Sequence, residues 1–136
     1  MYRREIFNEV GLFDPELAVE DFDMILKIAN SYSIGHLKEH LFYYRSHTEN
    51  TVNNIDLMKV NSDQIIDKWV GKDCYSRAVV LNKLQYFRSY SSLERRKALK
   101  ILPVSLSILK EKIFYEGIVR LFIPKFIYKK LLKKQQ

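Results

Sequence analysis

The sequence predicts an α+β protein that is mostly α. Apolar residues recur at helical spacing over most of the chain after residue 55. Two short runs before that point, "SIGHL" and "LFYYR", have strand character around a polar turn at Lys38-Glu39. Charge divides near the same place: residues 1–56 hold five Lys/Arg and ten Asp/Glu, net −5, while 57–136 hold 18 and six, net +12. Together these place a boundary close to residue 52. They predict a first part, 1–52, of helices with a two-stranded element, and a basic all-helical part, 53–136.

The elements follow in order. "REIFNEVGLFDPEL" predicts a short helix that stops near Gly11, then a turn at Asp14-Pro15. From Glu20, Phe22, Ile25, Leu26 and Ala29 lie at i, i+3, i+4 and i+7, which predicts one apolar helical face. "SHTENTVNN" has no apolar period and predicts a loop. Ile55, Met58, Ile65, Ile66 and Trp69 predict a helix over 55–70, broken at Gly71. Val80, Leu84 and Phe87 form the stripe of a second helix over 75–90. Further helical stretches cover 93–102 and 104–115, separated near Pro103, and Pro124 kinks or splits the last stretch, "EGIVRLFIPKFIYKKLLKKQQ".

At 136 residues and 47% hydrophobic, the chain is large enough for one packed domain or part of a larger one. The single cysteine, Cys74, excludes an internal disulfide. The first ten residues lack the apolar stretch of a secretory signal, and no run of about 18 apolar residues offers a spanning helix.

Glu20, Asp21 and Asp23 crowd three carboxylates into four positions of a basic protein. A helix N-terminus, with its exposed N–H groups and dipole, favours such charge, so capping is one reading. Asp-Phe-Asp also matches the short D-x-D metal motif. Residues 21 and 23 nevertheless point about 200° apart on a helix, which keeps them from sharing one ion. Histidines 36, 40 and 47 have neither i, i+4 helical support nor a cysteine partner, so they give no zinc pattern.

The order of residues is more specific. Arg3-Arg4, Phe7, Val10-Gly11, Phe13-Asp14 and Leu17 lead to Glu20-Asp21-Phe22-Asp23, then to Tyr44-Arg45-Ser46-His47 and Asn50. This succession resembles the C-terminal half of the catalytic domain in family 2 glycosyltransferases, which have the GT-A fold, and it covers about the first 50 residues. The resemblance implies that Asp21 is the general base and that Glu20 positions the acceptor or orients Asp21. Asp23 is then a supporting or substrate-binding group, or simply a polar helix residue. Arg45 contacts phosphate or pairs with Glu49 or Asp21. His47 binds a metal or touches the diphosphate, or else bonds nearby backbone. The implied reaction is inverting transfer of a sugar from a nucleotide-sugar donor to a glycan or lipid-linked oligosaccharide acceptor, in polysaccharide biosynthesis of the cell envelope. Mg²⁺ or Mn²⁺ would serve the complete enzyme. The nucleotide-binding half of that fold should precede Tyr2, so the chain alone is expected to bind no metal and to be inactive.

Residues 57–136 interleave Lys/Arg with Tyr, Phe and Ile. Val119, Phe122, Ile123 and Phe126 recur at i, i+3, i+4 and i+7 beside Lys125, Lys129, Lys130, Lys133 and Lys134. One reading packs this helix on its own domain with a solvated lysine face. The other is an anionic membrane surface, bound through residues 117–134. No recognised nucleic-acid motif appears, so nucleic acid is not an expected partner. The expected location is cytoplasmic and peripheral at the inner face of the cytoplasmic membrane. The alternative to the enzyme is a non-enzymatic basic helical module that binds such a surface or a protein.

Overall fold

In the computed structural model, which describes residues 2–45, 47, 49–102 and 106–128, helix α1 (Ile6–Val10) lasts little more than one turn. Gly11 ends it, with φ 82° and ψ −175°, a backbone region that side chains with a Cβ avoid. The turn lets Phe13 return onto Phe7, ring centroids 5.8 Å apart, and Tyr2 meets Phe7 edge-on at 6.1 Å. Asp14 then shapes the next turn: its Oδ1 accepts the Glu16 N–H at 3.1 Å and its carbonyl accepts that of Leu17 at 3.3 Å. Leu17 is buried as a result.

Helix α2 (Glu20–Ser31) buries Met24 and Ile28. The face expected from the sequence is largely outside: Phe22, Ile25 and Ala29 are exposed, and Leu26 is half-buried. Apolar residues at 22, 24, 25, 26, 28 and 29 make an arc wider than one small unit covers, and period alone does not choose the side. Here the choice follows Asp23 and Lys27, ion-paired at 2.8 Å, with Lys27 Nζ also donating to the Leu12 carbonyl at 3.4 Å. At the other end, the Tyr32 hydroxyl donates to the Glu9 carboxylate, and that bond pushes the phenol pKa up. α1, the turn and α2 belong to one unit, Met1–Ser46.

The expected strands do not form. Residues 33–45 carry neither helix nor strand, and no strand occurs among the described residues. A lone two-stranded ribbon is marginal in water, because it needs a sheet or a packed face to satisfy it. This one has no such face: Leu37, Leu41, Phe42, Tyr43 and Tyr44 are all exposed, Phe42 to 82%.

The second unit, His47–Gln136, is helical. A 3₁₀ turn (Thr51–Asn53) leads to Asn54, whose side chain accepts the Leu57 N–H at 3.0 Å and caps α3 (Ile55–Asp67). α4 (Tyr75–Ser91) is central and packs against α3, α5 (Arg95–Ile101) and α6 (Lys112–Phe122). Its Leu84, Phe87 and Tyr90 are almost fully enclosed, as are Ile65 of α3 and Ala98 of α5. Phe114, Ile118 and Leu121 of α6 pack against Tyr86, Phe87, Tyr90 and Ala98. Polar ties join these helices. Ser62 and Tyr86 hydroxyls lie 2.6 Å apart, Asn82 donates to Asp63 at 2.7 Å, and Arg88 meets Glu116 at 2.8 Å. The helix expected over 104–115 is instead a 3₁₀ turn (Leu106–Lys110) and the first turn of α6. Extended Glu111 separates the two, and Pro103 lies outside the described residues. Pro124 opens a new helical turn rather than kinking α6, its carbonyl accepting the N–H groups of Ile127 and Tyr128.

Candidate functional site

The acidic cluster occupies the first turn of α2, as its sequence position implies, and the helix divides it. Glu20 and Asp21 face solvent, whereas Asp23 is 1% exposed and ion-paired with Lys27. Val19 offers no side-chain cap, so the first turn rests on its own acids: Asp21 Oδ1 accepts the Phe22 N–H at 2.7 Å. Glu20 and Asp21 form no ion pair among the described residues. Two solvated carboxylates at a helix N-terminus can take up a proton or accept hydrogen bonds from hydroxyl groups. Asp23 instead holds the turn from within.

Arg45 is exposed in the irregular stretch of the same unit. His47 is exposed and begins the second unit. Its carbonyl accepts the Asn50 N–H at 3.3 Å and Asn53 Nδ2 at 3.0 Å, ordering the approach to α3. Among the described residues no group of three or more His, Cys, Asp or Glu gathers to hold an ion, and Asp21 and Asp23 lie on opposite sides of α2.

Much of the pattern around these residues serves the fold. Gly11 takes the positive φ, the Phe7 and Phe13 rings meet at a tilt, Asp14 makes the turn and Leu17 is buried. Glu20 and Asp21 are the members of its acidic cluster whose carboxylates remain at the surface.

The second unit holds an open groove of about 650 Å³ that sequence reasoning did not locate. It lies between the α4–α5 turn and the chain after α6, and its lining includes Arg95, Arg96, Lys97 and Lys125. The run "ERRK" at 94–97 was the available signal, but 27 residues separate Lys125 from Lys97, so only the fold unites them. Val119, Phe122 and Phe126 are 60%, 80% and 73% exposed, and Ile123 is half-buried. α6 thus packs through Phe114, Ile118 and Leu121 and still leaves an apolar stripe outside. Lys129, Lys130, Lys133 and Lys134, expected at a membrane surface, lie outside the described residues. No described helix is long and apolar enough to cross a membrane.

Comparison with known proteins returns no match, whether to a family model, a curated protein or a solved structure.

Proposed function

We propose that the first unit is the acceptor-side part of a family 2-type glycosyltransferase with a GT-A fold, in which Asp21 is the general base and Glu20 positions the acceptor. The observation that carries this is the contrast within the acidic cluster: Asp23 is buried and paired with Lys27, while Glu20 and Asp21 stand solvated at a helix N-terminus. A carboxylate suits the chemistry. An acceptor hydroxyl becomes acidic only as its oxygen bonds to the anomeric carbon, so a modest base receives the proton late. The exposed apolar side chains of Leu37, Leu41, Phe42 and Tyr43 support the same reading, since strands of such a domain would sit in a larger sheet. Mg²⁺ or Mn²⁺ would serve the complete enzyme, as the resemblance implies, and no step is assigned to it. The resemblance would give Arg45 and His47 contacts with the departing diphosphate, in cell-surface polysaccharide synthesis.

The test is transfer from a nucleotide sugar by the complete enzyme, followed as release of nucleoside diphosphate. Asp21→Asn should lower the rate by about 10²–10⁴ while donor binding and the helical circular dichroism are kept. Transfer that survives at near the starting rate overturns the assignment. A second reading, a non-enzymatic module that docks on a surface, is favoured by the exposed stripe of α6 beside its cations.

A further inference from the structure

The groove of the second unit brings four cations and one carboxylate, Glu94, to one place. Lys97 is already engaged, at 2.7 Å from Asp56 and 2.9 Å from Glu94. Arg95 is held rather than neutralised: Nη2 donates to the Ile123 carbonyl at 3.0 Å, which fixes the guanidinium and leaves further N–H donors. Arg96 and Lys125 form no ion pair among the described residues. Ser92 lines the groove, is 2% exposed, and its hydroxyl has no hydrogen-bond partner among the described residues. A buried hydroxyl is ordinarily satisfied, so this one marks a place for a ligand or a water.

The rim decides what kind of anion fits. Phe122 lines the groove, and Val119 and Phe126 continue its exposed apolar stripe. A soluble phosphate compound needs the cations alone and gains nothing from three exposed hydrophobic side chains. A lipid headgroup arrives with apolar surface attached, and aromatic rings beside Lys and Arg suit the boundary between headgroup and acyl chain.

We propose that this groove receives the phosphate headgroup of an anionic membrane lipid, with Phe122 and Phe126 entering the bilayer interface beside it. The surface lies wholly in the second unit and stands whether or not Asp21 is a catalytic base. It places the docking site at 92–97 and 122–126, with cations from two separate stretches of sequence.

The experiment is co-sedimentation of the full chain at 0.15 M salt with phosphatidylcholine vesicles, with and without phosphatidylglycerol. Binding is expected only with the anionic lipid. The double variant Arg96→Glu/Lys125→Glu should weaken partitioning at least about tenfold, given a contribution of about fivefold per cation at an anionic surface. Lys72→Glu/Lys83→Glu makes the same change of net charge away from the groove and should weaken it less than about threefold. Phe122→Ser should cost about tenfold with no change of charge. Circular dichroism establishes that each variant is folded. Equal losses in the two charge-reversed pairs would reduce the effect to net charge and overturn the proposal. Full binding by Phe122→Ser, together with displacement from vesicles by 10 mM inorganic phosphate at matched ionic strength, would make the groove a site for free phosphate and overturn it equally.

Discussion

Gly117 sits on the inner face of α6 with its Cα against the ring of Phe87, so near that an added Cβ would lie 2.4 Å from Phe87 Cε1. Phe87 is fully enclosed and cannot swing aside. Two effects compete in Gly117→Ala. Alanine in a helix gains about 1 kcal/mol over glycine, whereas overpacking a closed core costs about 1–3 kcal/mol. The contact is far inside van der Waals distance, so overpacking should win and urea unfolding should shift to lower midpoint. A variant as stable as the parent would mean that α6 stands further from α4. Gly11→Ala tests a different restraint, since no atom blocks a Cβ there and only the backbone objects. At φ 82° and ψ −175° the expected cost is about 1–3 kcal/mol. The effect should fall on the first unit, seen as loss of the Phe7–Phe13 contact in aromatic NMR shifts.

Elements in the second unit are joined by a polar knot that ties their stability to pH. The Asp56 carboxyl is held below its ordinary range by hydrogen bonds from Lys97 and then Tyr90, and Glu116 is lowered by Arg88. Lys97 is raised by Asp56 and Glu94, and Tyr90 is raised well above the usual phenol range by burial and then by its bond to Asp56. For the two carboxylates, stability is fully present above the ordinary value of about 4 and is lost as pH falls through their depressed values. For Lys97 and Tyr90 it is fully present below about 10 and is lost as pH rises through their raised values. Thermal unfolding should therefore show a plateau from about pH 5 to about pH 9, with a fall on each side. Asp56→Asn should lower the plateau and flatten both limbs, because it also removes the Asp56 part of what raises Lys97 and Tyr90, leaving Glu94 and burial. A profile that merely runs parallel to the parent's would show that the knot does not govern either limb.

The same elements show what the sequence can specify. Leu84 and Phe87 were legible as a core stripe because α4 is surrounded, and a surrounded helix buries whatever apolar stripe it has. α2 was misread because it is covered on one side only, and its wide apolar arc leaves the side undetermined. The strand signals at 34–44 are local preferences, while a strand exists only through a partner. The acids of the candidate site were legible by position, since a helix start needs little tertiary context. That Asp23 turns inward was not, because it follows from Lys27 and the Leu12 carbonyl. The cationic groove was invisible because its walls, 92–97 and 122–125, meet only when α4, α5 and α6 are packed.

On the scale of the whole molecule, the chain is two units with different amounts of core. Aromatic residues make this testable by limited chymotrypsin digestion. Phe42, Tyr43 and Tyr44 are exposed on backbone that belongs to no helix, so a protease can draw it into an extended conformation at small cost. Tyr86, Phe87 and Tyr90 are buried within α4, and cutting there first requires the second unit to open. Phe122 and Phe126 are exposed too, but cleavage at either removes only the last ten to 14 residues. The earliest internal cut should therefore fall at 42–44. A cut after Tyr44 leaves an N-terminal piece with four Lys/Arg and eight Asp/Glu, net −4, and a C-terminal piece with 19 and eight, net +11. Mass spectrometry identifies both. The basic piece should keep the helical circular dichroism of α3 to α6, because Tyr86, Phe87, Tyr90 and Ala98 form one core with Phe114, Ile118 and Leu121 of α6, all within the second unit. First cleavage at 86–90, or a basic piece without helical signal, would show that the second unit does not hold its core by itself. The lipid-docking groove would then lack the rigid frame that brings Arg96 and Lys125 together.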